Sequence, residues 1–252
     1  MSFRLLVCFE IFFHLFLEKF IHFILLKKKK TSHALFWNAG QCCSAASRIF
    51  VQDGLYDRFV EAMKATVATR VLGDPLSEGV LQGPQVSKSQ MESILRDIAS
   101  AQEEGARLVC GGKRHGEKGW FVEPTVFAEV TNQMKVARDE IFGPVMTLIR
   151  FSSAAEALKE ANDSPFGLVG AVYTADVSKA LAVSQGLRVG VCWVNTYNVI
   201  DASLPWGGFD ASGHGRDQSI YCLSQFTAPR VTIMNYPRLS LEELPPKRQR
   251  AD

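Results

Sequence analysis

Two cysteines stand side by side in WNAGQCCSAASRIF, Cys42 and Cys43, directly after a Gly-Gln pair. A cysteine attacks as its thiolate, and a free thiol with a pKa of ~8.5 needs a base beside it or a lowered pKa. Gly40 just upstream lets backbone approach a substrate closely, and backbone N–H groups there could hold an oxyanion. Adjacent residues of an extended chain point to opposite sides, so one thiol can face a cleft while the other packs. Periodicity does not say which. On its own spacing the pair reads equally as two structural cysteines at a loop-to-strand junction.

The other cysteines lie at 8, 110, 192 and 222, with no Cys-x-x-Cys and no Cys/His pair at zinc spacing. No metal site is expected. Reduced thiols in a cytoplasmic setting fit this usage. The chain has 252 residues, enough for one large or two modest domains, with 47% hydrophobic and 21% charged residues and a net charge of +2. Lys and Arg are scattered, so no nucleic-acid partner is indicated.

The elements that must position the thiols follow from His33 onward. Residues 47–52 (SRIFVQ) read as a strand by β-branched and aromatic content. Phe59, Val60, Met63 and Val67 have helical spacing within 55–72, and Met91, Ile94, Leu95 and Ile98 form a second helical stripe. A short strand is expected at 106–110, and 119–130, which contains Pro124, can be at most an edge strand or ribbon. Three strand-helix alternations come next: strands at 144–151, 167–174 and 190–195, and helices at 153–161 and 176–187 capped by Ser153 and Asp176. Buried strands alternating with amphipathic helices predict an α/β fold, a doubly wound and mostly parallel sheet with helices on both faces. Active residues of such sheets sit at carboxyl ends of strands. The glycine-rich PWGGFDASGHGR at 205–216 could form a tight turn or an anion nest. It is not a dinucleotide fingerprint.

The first thirty residues depart from this pattern. They are dense in Phe, Leu and Ile but carry Glu10, His14, Glu18, Lys19 and His22, then Lys27 to Lys30. That is too interrupted for a membrane span. The lysines follow the apolar stretch instead of preceding it, unlike a signal peptide. Residues 1–32 read as foreign to the domain that follows. A membrane-surface anchor is the less favoured alternative.

Taken in order, FWNAGQCCSAASRIFV, GPQVSKSQ (83–90), EIFGPV (140–145), NDSPFGL (162–168), WVN (193–195) and PWGGFDASGHGR resemble the carboxyl-terminal, catalytic half of an aldehyde dehydrogenase. The resemblance runs from about 33 to 233. It implies that Cys43 is the nucleophile, forming a thiohemiacetal and then a thioester while NAD or NADP accepts hydride. Cys42 is then the flanking pocket residue. Glu140 matches the carboxylate on the nicotinamide ribose, a role suited to accepting two hydroxyls. Phe142 matches a residue packed near the nicotinamide and Gln90 one near the ribose. Asn195 and Trp206 match the aldehyde pocket. Asp210 stands where the family usually has Lys.

By the same resemblance, 33–226 form the catalytic domain and 227–236 (TAPRVTIMNY) an oligomerisation strand; 237–252, polar and Pro-containing, read as a disordered tail. Partners are then a small-molecule aldehyde and a second copy or a full-length relative. The stretch 215–227 is similar to members acting on aminoaldehydes such as γ-glutamyl-γ-aminobutyraldehyde. The family's Glu-Leu-Gly-Gly stretch with its general base is absent from the sequence, and so is a dinucleotide fingerprint. The expectation is a truncated form without the cofactor domain. A non-catalytic relative that joins a full-length partner is the alternative.

Overall fold

The structure, a computed structural model, describes residues 4–8 and 31–235. Seven strands form one sheet in the order β3-β4-β5-β2-β1-β7-β8. They are β1 (Arg4–Cys8), β2 (Arg48–Gln52), β3 (Arg107–Cys110), β4 (Thr125–Ala128), β5 (Val145–Phe151), β7 (Val169–Tyr173) and β8 (Val191–Val194). All neighbours run parallel except β3, which pairs antiparallel with β4 at one edge. A separate two-stranded ribbon joins β6 (Phe166–Gly167) to β9 (Phe209–Asp210).

Strand alternation divides the core into two layers. Ile49, Val51, Met146, Leu148, Val169, Ala171, Tyr173 and Trp193 face one side, with Phe59, Val60 and Met63 of the helix Tyr56–Val67. Phe50, Val145, Ile149, Phe151 and Val172 face the other, against the helices Lys88–Glu103, Ala154–Asn162 and Val177–Gly186. Both faces are therefore covered, as the near-continuous apolar runs of the strands require.

The helix starts obey their caps. Ser153 accepts from the Glu156 amide at 3.2 Å and Asp176 from the Lys179 amide at 3.1 Å. Ser87 does the same for Gln90 at 3.1 Å, fixing the start of the Lys88–Glu103 helix. Its predicted stripe is buried at Met91, Ile94 and Ile98. One polar anchor sits in the core: the buried Arg48 guanidinium donates to Asn132 Oδ1 at 2.6 Å and to the Ala161 carbonyl at 2.8 Å.

One expectation changes. The run around Pro124 yields β4, an inner strand, because Pro124 lies just before Thr125 and its missing N–H falls outside the ladder. Within residues 1–32, Arg4–Cys8 is the strand between β2 and β7. The stretch 227–235, expected to be an oligomerisation strand, is irregular and exposed in the single chain, where no strand pairs with it among the described residues. Tyr236 and the 237–252 tail lie outside the described residues. Among the described residues no helix is long and apolar enough to cross a membrane.

Candidate active site

The cysteine pair lies in a loop that climbs over the face bearing Trp193 before entering β2. Helical residues 31–36 lead into it, and the Ala46 amide donates back to the Ala34 carbonyl at 3.0 Å. Three consecutive residues then take left-handed backbone, Asn38 (φ 51°), Ala39 (φ 54°) and Gly40 (φ 73°). Such a run costs free energy at its non-glycine members and is held by local bonds. Gln41 N–H donates to the Asn38 carbonyl at 3.0 Å, and Asn38 Nδ2 donates to the Gln41 carbonyl at 2.9 Å. A Cβ on Gly40 would overlap the Gly143 carbonyl oxygen. The cysteine loop and the EIFGPV loop therefore touch backbone to backbone. Both loops precede their strands, β2 and β5. This departs from the expected carboxyl-end placement, which only residues after β8 satisfy.

The two thiols differ in exposure. Cys42 is half-buried and Cys43 exposed. Cys42 Sγ is 3.3 Å from Ser44 Oγ, and Ser44 Oγ donates to Asn198 Oδ1 at 2.6 Å. A hydroxyl has one proton to give. With it directed at Asn198, the Cys42 thiol is the donor to Ser44. Cys42 also packs against the core layer of Trp193. Both thiols open on a cleft of about 490 Å³, walled also by His33, Trp37, Asn198 and Trp206. Trp206 continues an aromatic wall, its ring centroid 6.3 Å from that of Trp193. By contrast, burial pushes the Cys110 thiol up and the Cys192 thiol up to about 11. Those two stay protonated at neutral pH and serve packing.

Not every expected residue reaches this cleft. Asn195, assigned to the aldehyde pocket, has φ 56° and directs its amide at one residue: Oδ1 accepts from the Thr174 amide at 2.9 Å and Nδ2 donates to the Thr174 carbonyl at 2.8 Å. It ties the end of β8 to the end of β7, and it is not among the residues walling the cleft. Gln90, assigned to the ribose, donates Nε2 to the carbonyls of Ile141 and Phe142 at 3.0 and 3.1 Å. That amide clamps the loop of Glu140 and Phe142. Phe142 has φ 53° and stays 37% exposed, and Glu140 is half-buried beside it. An acceptor-only carboxylate next to an open aromatic face fits a ribose and its nicotinamide. Gln90 fits that group less well, since its donor already serves the loop.

Ser44, Asn198 and His33 were not singled out from sequence. Ser44 adjoins the cysteine pair and could have been flagged. Asn198 lies three residues beyond Asn195 with no spacing that marks it. Asp210, the departure from the family's Lys, meets Arg188 Nη2 at 3.2 Å from each carboxylate oxygen. The reversed charge thus has a partner across the β6–β9 ribbon. Among the described residues no group of three or more His, Cys, Asp or Glu is arranged to hold a metal.

The sequence profile of the aldehyde dehydrogenase family matches residues 27–232. Aldehyde dehydrogenase 1A1 of Rattus norvegicus is 46% identical over 202 residues, covering 80% of this chain and 40% of that protein. Among solved structures, the NAD+ complex of an aldehyde dehydrogenase from Bacillus cereus superposes with a TM-score of 0.80 at 37% identity, over 81% of this chain and 42% of that one. The aldehyde dehydrogenase KauB of Pseudomonas aeruginosa gives a TM-score of 0.82 at 37% identity, over 90% and 44%. The chain spans about two fifths of the length of the relatives it matches, 40% in the case of the rat protein.

Proposed function

Because the chain belongs to the aldehyde dehydrogenase family, we propose that it takes part in oxidising an aldehyde to a carboxylic acid, with Cys43 as the nucleophile. The observation that carries this is the division of labour within the pair. Cys42 is bound into the Ser44–Asn198 chain, and Cys43 is exposed at the same cleft. Cys43 sulfur adds to the aldehyde carbon, the carbonyl oxygen takes a proton, and a thiohemiacetal results. Trp206 gives the aldehyde an apolar wall. The thioester that follows oxidation is released by water.

NAD or NADP, when bound, supplies the hydride acceptor. Glu140 is the residue that would take the nicotinamide ribose hydroxyls, and Phe142 would lie against the ring. Gln90 serves the same cofactor indirectly, by holding the loop that bears both. The sequence contains no Glu-Leu-Gly-Gly stretch. A reaction without a general base is slower by about 10²–10⁴. Aldehyde capture at Cys43 is the step that rests on the cleft's own residues. We assign the substrate to the aminoaldehyde class, on the stretch 215–227, and the setting to the cytoplasm.

The test is protection. An aliphatic aldehyde should slow iodoacetamide alkylation of Cys43 and leave Cys110 unaffected. An unchanged rate at Cys43 would falsify the assignment. Reduced-cofactor absorbance above that of a Cys43→Ala control would show that the hydride step also runs.

A second reading rests on a separate observation. Tyr221, Phe226, Val231, Ile233 and Met234 expose 64%, 79%, 84%, 91% and 73% of their surface. Such a patch marks an interaction site. It fits a second copy of this chain or a full-length relative, joined through 227–236. A strictly monomeric chain that does not co-purify with a longer relative would count against this reading.

A further inference from the structure

The sheet has a seam. On one side stand β3, β4, β5 and β2, which carry the cysteine loop and the Glu140 loop. On the other stand β7 and β8, which lead to Thr174, Asn195 and Asn198. No ladder joins β2 to β7 directly. β1 alone links them, pairing Leu5 to Cys8 with Arg48 to Val51 and Arg4 to Cys8 with Val169 to Tyr173. The family profile begins at residue 27, so β1 lies outside the residues it matches.

We propose that Arg4–Cys8 is the positioning strand of the site: it fills a one-strand slot between β2 and β7 and thereby sets the distance between the two walls of the cleft. Without it, the facing edges of β2 and β7 would leave their N–H and C=O groups unpaired. Strands lie about 4.8 Å apart, so β2 and β7 are separated by about twice that. Closing the slot would move the walls by about 5 Å; leaving it open would unlink them. The 2.6 Å bond from Ser44 Oγ to Asn198 Oδ1 crosses this seam and survives neither change. The segment needs only to be short and extended, because its backbone does the joining. A stretch outside the family's sequence profile can therefore fill the slot. The inference does not depend on the role given to Cys43.

Hydrogen exchange on the unaltered chain tests it first. Amides of residues 5–8 should exchange slowly and together with those of β2 and β7. Exchange of 5–8 at free-peptide rates, with β2 and β7 protected, would overturn the proposal. A second measurement reads the cleft. Leu6→Pro removes a ladder N–H from the middle of β1. It should make Cys42 alkylate several-fold faster, through loss of the Ser44–Asn198 bond, with the rate at Cys110 unchanged. Equal rates at Cys42 in the two proteins would contradict a positioning role.

Discussion

Adjacent thiols in one loop acquire different chemistry from what each one meets. Cys42 donates to Ser44, which donates in turn to Asn198, whereas Cys43 is exposed at the cleft. Sequence alone could not separate them, because period-two alternation allows either to face inward. The family resemblance points to Cys43, and the Ser44–Asn198 bond that holds Cys42 joins residues too far apart in sequence to be paired by inspection. Gly40 is the second residue on which the site turns. Gly40→Ala would put a methyl group into the Gly143 carbonyl and keep a left-handed φ of 73°. It should destabilise the chain by about 2–4 kcal/mol, read as a fall in the urea midpoint. Cys192 gives a pH signature. Its folded thiol is held up to about 11 against an ordinary 9.0. The unfolded thiol deprotonates first, so this contribution is complete below pH 9 and is lost as pH rises from 9 to 11. About 2 kcal/mol of stability should disappear across that window, and Cys192→Ala should flatten the loss in urea melts.

Most elements were legible where a local rule decided them. Ser153 and Asp176 cap the helices they were expected to cap, and the Met91–Ile94–Ile98 stripe is buried as its spacing required. Elements decided by distant partners were not. Pro124 argued against an inner strand, but it sits one residue outside β4. Arg4–Cys8 has no distinguishing pattern within an apolar run, and its role comes from the slot it fills. Tyr56, at the start of the helix Tyr56–Val67, shows how such elements are joined. Its buried hydroxyl donates to the Leu148 carbonyl at 2.9 Å and accepts from the Glu129 amide at 2.7 Å. Tyr56→Phe leaves a buried carbonyl of β5 without that donor. It should cost about 1–3 kcal/mol in thermal or urea unfolding, with secondary structure unchanged by circular dichroism.

At the scale of the whole molecule, the α/β architecture with two covered faces was readable from the alternation of apolar strands and amphipathic helices. The stretch 227–236 was readable only as an expected strand. Its exposed state follows from the lack of a neighbouring strand in the described chain. Apolar surface of that kind favours association. Sedimentation velocity should therefore show a weight-average mass that rises with concentration, and Phe226→Asp with Ile233→Asp should shift the chain toward monomer. A monomer at all concentrations in the unaltered chain would remove the case for that interface. The central claim concerns Cys43, and iodoacetamide labelling mapped by peptide mass spectrometry tests it most directly. The account predicts that Cys43 is modified first, ahead of Cys42, Cys110 and Cys192. Preferential modification of Cys42 would contradict it.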